Sequence, residues 1–387
     1  MIPYGRQAID ESDIAAVVEV LRSDFLTQGP VVPLFERKVS EYCGAPYSVA
    51  VNSATSALHI ACLSLGLGPG DWLWTSPNTF VASANCALYC GAKVDFVDID
   101  PATYNLSVSE LERKLVQAER DGKLPKVLVP VHFSGQPCDL KAIWELSKKY
   151  GFKVIEDASH AIGAEYLGEK IGGCTYSHMT VFSFHPVKII TTGEGGMVTT
   201  RDRTLYESLC RLRTHGITRD TTQMLGPSHG DWYYEQVALG FNYRMTDIHA
   251  ALGVSQMNRI DRFIARRREL AKRYDVMLGE FPVVRPAQRE DRLSAWHLYV
   301  IQLREDSGQR AAKFQSLRAS GIGVNVHYIP VHLQPYYRNL GFCEGSMPAC
   351  EAYYRGALSL PLFAEMTESQ QDQVVSGLAK ALRQGLG

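Results

Sequence analysis

The sequence predicts an α/β protein, a mostly parallel mixed sheet between helices, followed by a smaller C-terminal α+β unit. Three observations carry this. Short apolar runs alternate with amphipathic helical runs from residue 48 to residue 200. The texture changes near Pro282, after which strand, helix and strand patterns follow one another. The 387 residues are too many for one ordinary core.

The elements follow in order. "ESDIAAVVEVLR" reads as a helix with Ile14, Val17, Val18 and Leu21 on one face. Gly29 and Pro30 break the chain, leaving Thr27 and Gln28 in a loop, and "LFERKVSEYCG" is a second helix ended by Gly44. The strands "SVAVNS", "DWLWTSP", "KVDFVDID", "KVLVPVHF" and "FKVIEDAS" are separated by helices. These are "ATSALHIACLSLG", "TFVASANCALYCG", "SVSELERKLVQAERDG" and "DLKAIWELSKKYG". "TVFSFHP" and "GGMVTTRD" add two strands. A long helical pattern from Asp247 to about Leu278 then leads to the strand "AWHLYVIQL", the helix "QRAAKFQSLRASG" and the strand "VNVHYIP". The expected division is a large domain over 1–246 and a small one over 247–387, joined by that long helix.

Hydrophobic residues make up 45% and charged residues 21%, with a formal net charge of -1, which excludes disordered and fibrous classes. Near-neutral charge gives no global reason to bind nucleic acid. Nine scattered cysteines show no metal-ligand spacing; Cys62 and Cys86 read as core thiols, and a reducing cytoplasm is expected. "MIPYGRQAIDESD" lacks the regions of a signal peptide, and no apolar run is long enough to span a bilayer.

In open sheets ligands gather at the carboxyl ends of strands. Four segments there carry candidates. At "VNSATSALH" a strand enters a helix, whose free N–H groups and hydroxyls suit a phosphate; an ordinary N-cap has the same look. In "VIEDASH", Asp157 follows an apolar strand and needs a cation or donor such as a protonated ring nitrogen, or else is a cap or ion-pair residue. His160 lies three residues on. Phe80 offers a flat face to a planar ligand or to the core. Lys188 stands in "FSFHPVKIITTGEGG", where glycines permit close approach of a bulky ligand. A desolvated lysine has a lowered pKa, and its neutral amine condenses with a carbonyl. Together the four suggest a pyridoxal phosphate pocket.

The series "NSATSALH", "PNTFVASAN", "EDASHAIGA", "FSFHPVKIITTGEGG", "GFNYRMTDIHAALG", "AWHLYVI" and "ALSLPLF" resembles the sugar-nucleotide aminotransferases of the DegT type, over nearly the whole chain. The resemblance implies the pyridoxal phosphate fold type I, aspartate aminotransferase-like. It makes Lys188 the lysine that binds the cofactor aldehyde and Asp157 the partner of the pyridine nitrogen. His160 falls near the cofactor's phenolic oxygen, and Ser183, Thr55 and Ser56 at its phosphate. Ala54 stands where many relatives have glycine. Asn242 would reach the cofactor phosphate of a second subunit, and Arg244 would meet an anionic sugar nucleotide across a two-fold interface; an ion pair within one subunit is the competing role for Arg244.

"IPYGRQAIDESDI", "SDFLTQGP" and "VHYIPVHLQPYY" are similar to members that act in pseudaminic acid biosynthesis. These move an amino group from glutamate to C4 of a UDP-4-keto-6-deoxy-N-acetylhexosamine. Tyr4, Thr27, Gln28, Arg244, His327 and Tyr328 are then the candidates for holding the nucleotide sugar. A homodimer with shared sites is implied, with no metal, nucleic acid or membrane partner. Acceptors with a C3 ketone or a dTDP group remain open, as does a non-catalytic regulator. A dehydratase of the same family would lack the lysine.

Overall fold

The computed structural model describes residues 1–304 and 310–383. Two helices lead, α1 (Glu11–Leu21) and α2 (Val31–Cys43). Asp10 caps the first by accepting from the Ser12 and Asp13 N–H groups, and Gly44, left-handed at φ 72°, ends the second. Then come β1 (Tyr47–Val51), α3 (Ala54–Ser64), β2 (Trp72–Thr75), α4 (Ala82–Tyr89), β3 (Lys93–Phe96) and α5 (Val108–Asp121). They are followed by β4 (Val127–Val129), α6 (Leu140–Tyr150) and β5 (Lys153–Asp157). A hairpin of β6 (Glu165–Tyr166) and β7 (Glu169–Lys170) precedes β8 (Met179–Ser183) and β9 (Gly196–Thr200).

The large sheet has the order β1–β9–β8–β5–β4–β2–β3. Strand β9 is antiparallel to both neighbours, and the other adjacent pairs are parallel. Both faces are covered, which is why its strands read as continuous apolar runs. Alternate residues divide between two cores: Leu73, Val127, Ile155 and Val181 pack with α3 and α4 residues, and Trp74, Leu128, Val154 and Phe182 with those of α5 and α6.

Beyond the sheet lie α7 (Arg203–Arg213), the pair β10 (Ile217–Thr218) and β11 (Glu235–Gln236), α8 (Asp247–Met257) and α9 (Ile260–Met277). The last part contains β12 (Val283–Val284), β13 (Arg292–Leu293), β14 (Tyr299–Leu303), α10 (Arg310–Ala319), α11 (Pro335–Arg338), α12 (Pro348–Gly356), β15 (Ala357–Leu360) and α13 (Glu368–Arg383). Strands β12, β14 and β15 form a small antiparallel sheet whose core includes Tyr274 of α9 and Leu378 of α13. Among the described residues no helix is long and apolar enough to cross a membrane.

Three expectations need correction. The helix over 247–278 is broken between α8 and α9: Arg259 leaves the helical region at φ -120°, ψ 4°, and its guanidinium pairs with Asp10 and Asp13. That anchoring also turns α1. Asp13 and Val20 are buried, while Ile14 and Leu21 are exposed. "VNVHYIP" is no strand; its one backbone bridge to β15 joins Asn325 and Ser359, and Asn325, Val326, His327 and Tyr328 line the cavity described next. Gln309, the first residue of the sequence pattern for α10, lies outside the described residues, as do the last four residues assigned to the small domain.

Candidate active site

The carboxyl ends of β4, β5 and β8, with the β1–α3 turn, converge on one cavity of about 590 Å³. At its phosphate-sized corner the chain leaves β1 and enters α3 through Ser53, whose hydroxyl accepts from Ser56 N–H. The Ala54 and Thr55 N–H groups lie in the first turn, where no intrahelical carbonyl reaches them. Gly196 makes this approach possible: a Cβ there would lie 2.5 Å from Ser53 O and 2.6 Å from Ala54 N.

Asp157 ends β5 and is 4% exposed. Its Oδ1 accepts from Ser159 N–H at 3.0 Å and its Oδ2 from Ser83 Oγ at 2.6 Å. Both oxygens keep free lone-pair capacity toward the cavity.

Lys188 sits on the loop joining β8 to β9, which is tied at its base. Phe184 N–H donates to Gly195 O, and Phe184 O accepts from Thr192 N–H and the Thr191 hydroxyl. Burial lowers the Lys188 amine to about 8 from 10.5, and the Asp157 carboxylate opposes that shift. The lowered value raises the fraction of neutral amine, the form that acts as nucleophile and base, toward neutral pH.

The far wall carries three histidines. His160 Nε2 and the Tyr328 hydroxyl are 3.0 Å apart, and His327 Nδ1 is 2.7 Å from Ser359 Oγ. The His297 ring stands 4.4 Å from that of His160. Burial, then the charges of Lys188 and the other histidines, pushes His160 and His297 well below 6.5; burial pushes His327 to about 3. The direction is the same for all three, toward the neutral ring. Gly135 locks this wall: it is left-handed at φ 100°, and a Cβ there would lie 2.9 Å from both His160 O and Trp296 N.

The cavity thus brings together Tyr4, Ala54, Thr55, Phe80, Asp157, His160, Ser183, Lys188, His327 and Tyr328. Phe80 is 59% exposed, so it is not a core residue. Ser56 is turned away, donating to Asn52 Oδ1 at 2.7 Å. Asn242 is exposed and outside the cavity, and Thr27 pairs with Thr246. Gln28 and Arg244 line a second cavity of about 200 Å³ with Glu36 and Arg213. Among the described residues nothing hydrogen-bonds or ion-pairs the Arg244 side chain. The sequence pattern did not single out Ser83, Ser159, Glu194, His297 and Asn325, which also line or support the cavity. Ser83 lies three residues after Phe80, and His297 and Glu194 stand inside quoted motifs, so spacing alone pointed near them.

These residues fit pyridoxal phosphate. A helix start awaits an anion, a buried carboxylate awaits a ring N–H, and an amine of lowered pKa awaits an aldehyde. Among the described residues His160 Nδ1 is buried without a hydrogen-bond partner, as expected of a group that meets a bound ligand.

Comparison with known proteins agrees. Residues 7–379 match the DegT/DnrJ/EryC1/StrS aminotransferase family. The chain is 38% identical over 382 residues to the spore coat polysaccharide biosynthesis protein SpsC of Bacillus subtilis, covering 97% of this chain and 96% of that one. It is 38% identical over 368 residues to the UDP-4-amino-4,6-dideoxy-N-acetyl-beta-L-altrosamine transaminase of Campylobacter jejuni, covering 95% and 93%. Spr1654 of Streptococcus pneumoniae, solved in its PLP form, superposes with a TM-score of 0.91 at 30% identity over the whole of both chains. The chain belongs to the DegT/DnrJ/EryC1/StrS aminotransferase family.

Proposed function

We propose that this aminotransferase moves an amino group from glutamate to C4 of a UDP-4-keto-6-deoxy-N-acetylhexosamine. The product is UDP-4-amino-4,6-dideoxy-N-acetyl-β-L-altrosamine, on the way to pseudaminic acid. The observation that carries the chemistry is the meeting of Lys188, Asp157 and the α3 start in one cavity. The choice of sugar is supported by the Campylobacter relative.

Bound pyridoxal phosphate supplies an aldehyde carbon and an electron-withdrawing ring. Asp157 would hold a proton on the ring nitrogen. Ala54, Thr55 and Ser183 would hold the phosphate, Phe80 would cover the ring face, and His160 would meet the phenolic oxygen. Lys188 would anchor the aldehyde between turnovers. Once displaced, its Nζ takes the α-proton of glutamate and later delivers one to C4 of the sugar. A lysine in this position counts against the dehydratase reading.

The active unit we propose is a homodimer. Lys188 is the only Lys or Arg among the cavity's lining residues, yet the cofactor phosphate, glutamate and the sugar nucleotide are all anionic. The unpaired Arg244, with Gln28 beside it, supplies the missing charge if it faces the cavity of a second subunit, and Asn242 is exposed for the same reason. Leu225, Trp232 and Leu239 nearby are 89%, 75% and 81% exposed, a surface suited to burial against another copy. Nine unpaired thiols suit a reducing cytoplasm.

The chain is equally similar to SpsC, a spore coat polysaccharide biosynthesis protein, so a different keto-sugar nucleotide is the second reading. Incubation with glutamate and a panel of UDP- and dTDP-linked C4- and C3-keto sugars, read by mass spectrometry, decides. Conversion of the UDP-4-keto sugar above the others is expected; preference for a C3-keto or dTDP sugar overturns this choice of substrate.

A further inference from the structure

Three ionisable side chains line the cavity from the one tied loop between β8 and β9: His185, Lys188 and Glu194. Lys188 is the least exposed of the three, and Glu194 is exposed. The Glu194 backbone is fixed: its carbonyl accepts from the Thr192 hydroxyl at 2.7 Å, and Gly195 beside it has no room for a side chain, because a Cβ would meet Thr192 Oγ1 at 2.3 Å. Its carboxylate, by contrast, has no hydrogen bond or ion pair among the described residues.

A pre-positioned, unpaired carboxylate repels the phosphates and carboxylates of the ligands that pass it. It is tolerated where the ligand turns an uncharged donor toward it, and the hydroxyls and acetamido N–H of a sugar ring are such donors. We propose that Glu194 is a specificity residue that reads the acceptor ring, accepting a hydrogen bond from a ring hydroxyl or an acetamido N–H. This rests on the reading of the cavity as a sugar-nucleotide aminotransferase site.

The test separates the two half-reactions in the holoenzyme, using whichever keto-sugar nucleotide the wild-type protein converts best. Loss of the visible band on adding glutamate reports the donor half, and steady-state turnover reports the acceptor half. Glu194→Gln should raise the acceptor KM about tenfold or more, the range for a hydrogen bond to a charged group. Turnover at saturation should stay within roughly threefold, and the donor half and the binding of UDP alone should be unchanged. An unchanged acceptor KM overturns the proposal. So does an equal slowing of both halves, or loss of dimer mass, either of which marks a structural role. Preference of the wild-type protein for a C3-keto or dTDP sugar would instead defeat the assigned substrate, and Glu194 would still be tested on the sugar accepted.

Discussion

Ser83 Oγ donates a 2.6 Å hydrogen bond to Asp157 Oδ2, with the hydroxyl fully buried beneath the cavity. A bond to a charged acceptor in such a place contributes about 1.5–3 kcal/mol. Ser83→Ala should therefore slow the glutamate half-reaction about tenfold or more, by loosening the carboxylate that we propose holds the ring proton. Asp157→Asn, which removes the charge itself, should cost about a hundredfold or more. Stopped-flow absorbance measures both; equal, small effects would mean that Asp157 does not face the ring nitrogen.

The Lys188 amine gives a pH prediction. Folded, it loses its proton near about 8; its ordinary value is 10.5. Between those values the unfolded chain binds more protons, so cofactor-free stability rises with pH through that window and is lowest below it. Lys188→Met should then stabilise the cofactor-free protein at pH 7 by up to roughly 3 kcal/mol, with the gain vanishing as pH passes the upper value. Urea unfolding at several pH values checks this, and equal stability at pH 7 would contradict it.

Gly196 permits the close packing of β9 on the α3 start. Gly196→Ala pushes Ser53 and Ala54 off their positions and should weaken pyridoxal phosphate binding about tenfold or more, while a surface glycine such as Gly68, with open space around it, tolerates alanine. Cofactor titration followed by absorbance distinguishes the two.

Shared sites can be tested by mixing. Arg244→Ala and Lys188→Ala should each abolish most activity alone. Random reassortment of the two should restore about a quarter of wild-type activity, because mixed dimers carry one intact site. No recovery after subunit exchange would place Arg244 and Lys188 in the same site of one subunit.

Much of the fold was legible because both faces of the large sheet are buried, so period and run length gave the order of strand and helix directly. Lys188, Asp157 and Thr55 were legible for a related reason, since each follows a strand end that the pattern marks. The errors arose where tertiary contacts override local pattern. Arg259 breaks the helix because Asp10 and Asp13, distant in sequence, hold its guanidinium. Ser56 keeps its hydroxyl for Asn52, which no spacing rule reveals. Ser83 and His297 meet Asp157 and His160 only through folding, and their residue types alone carry no mark of that.

The most direct test of the account is borohydride reduction of the purified holoenzyme followed by peptide mass spectrometry. The account predicts a yellow protein that bleaches, with the reduced cofactor's mass on the peptide bearing Lys188 and on no other lysine. A cofactor adduct on a different lysine, or a colourless protein that binds no pyridoxal phosphate, would contradict it.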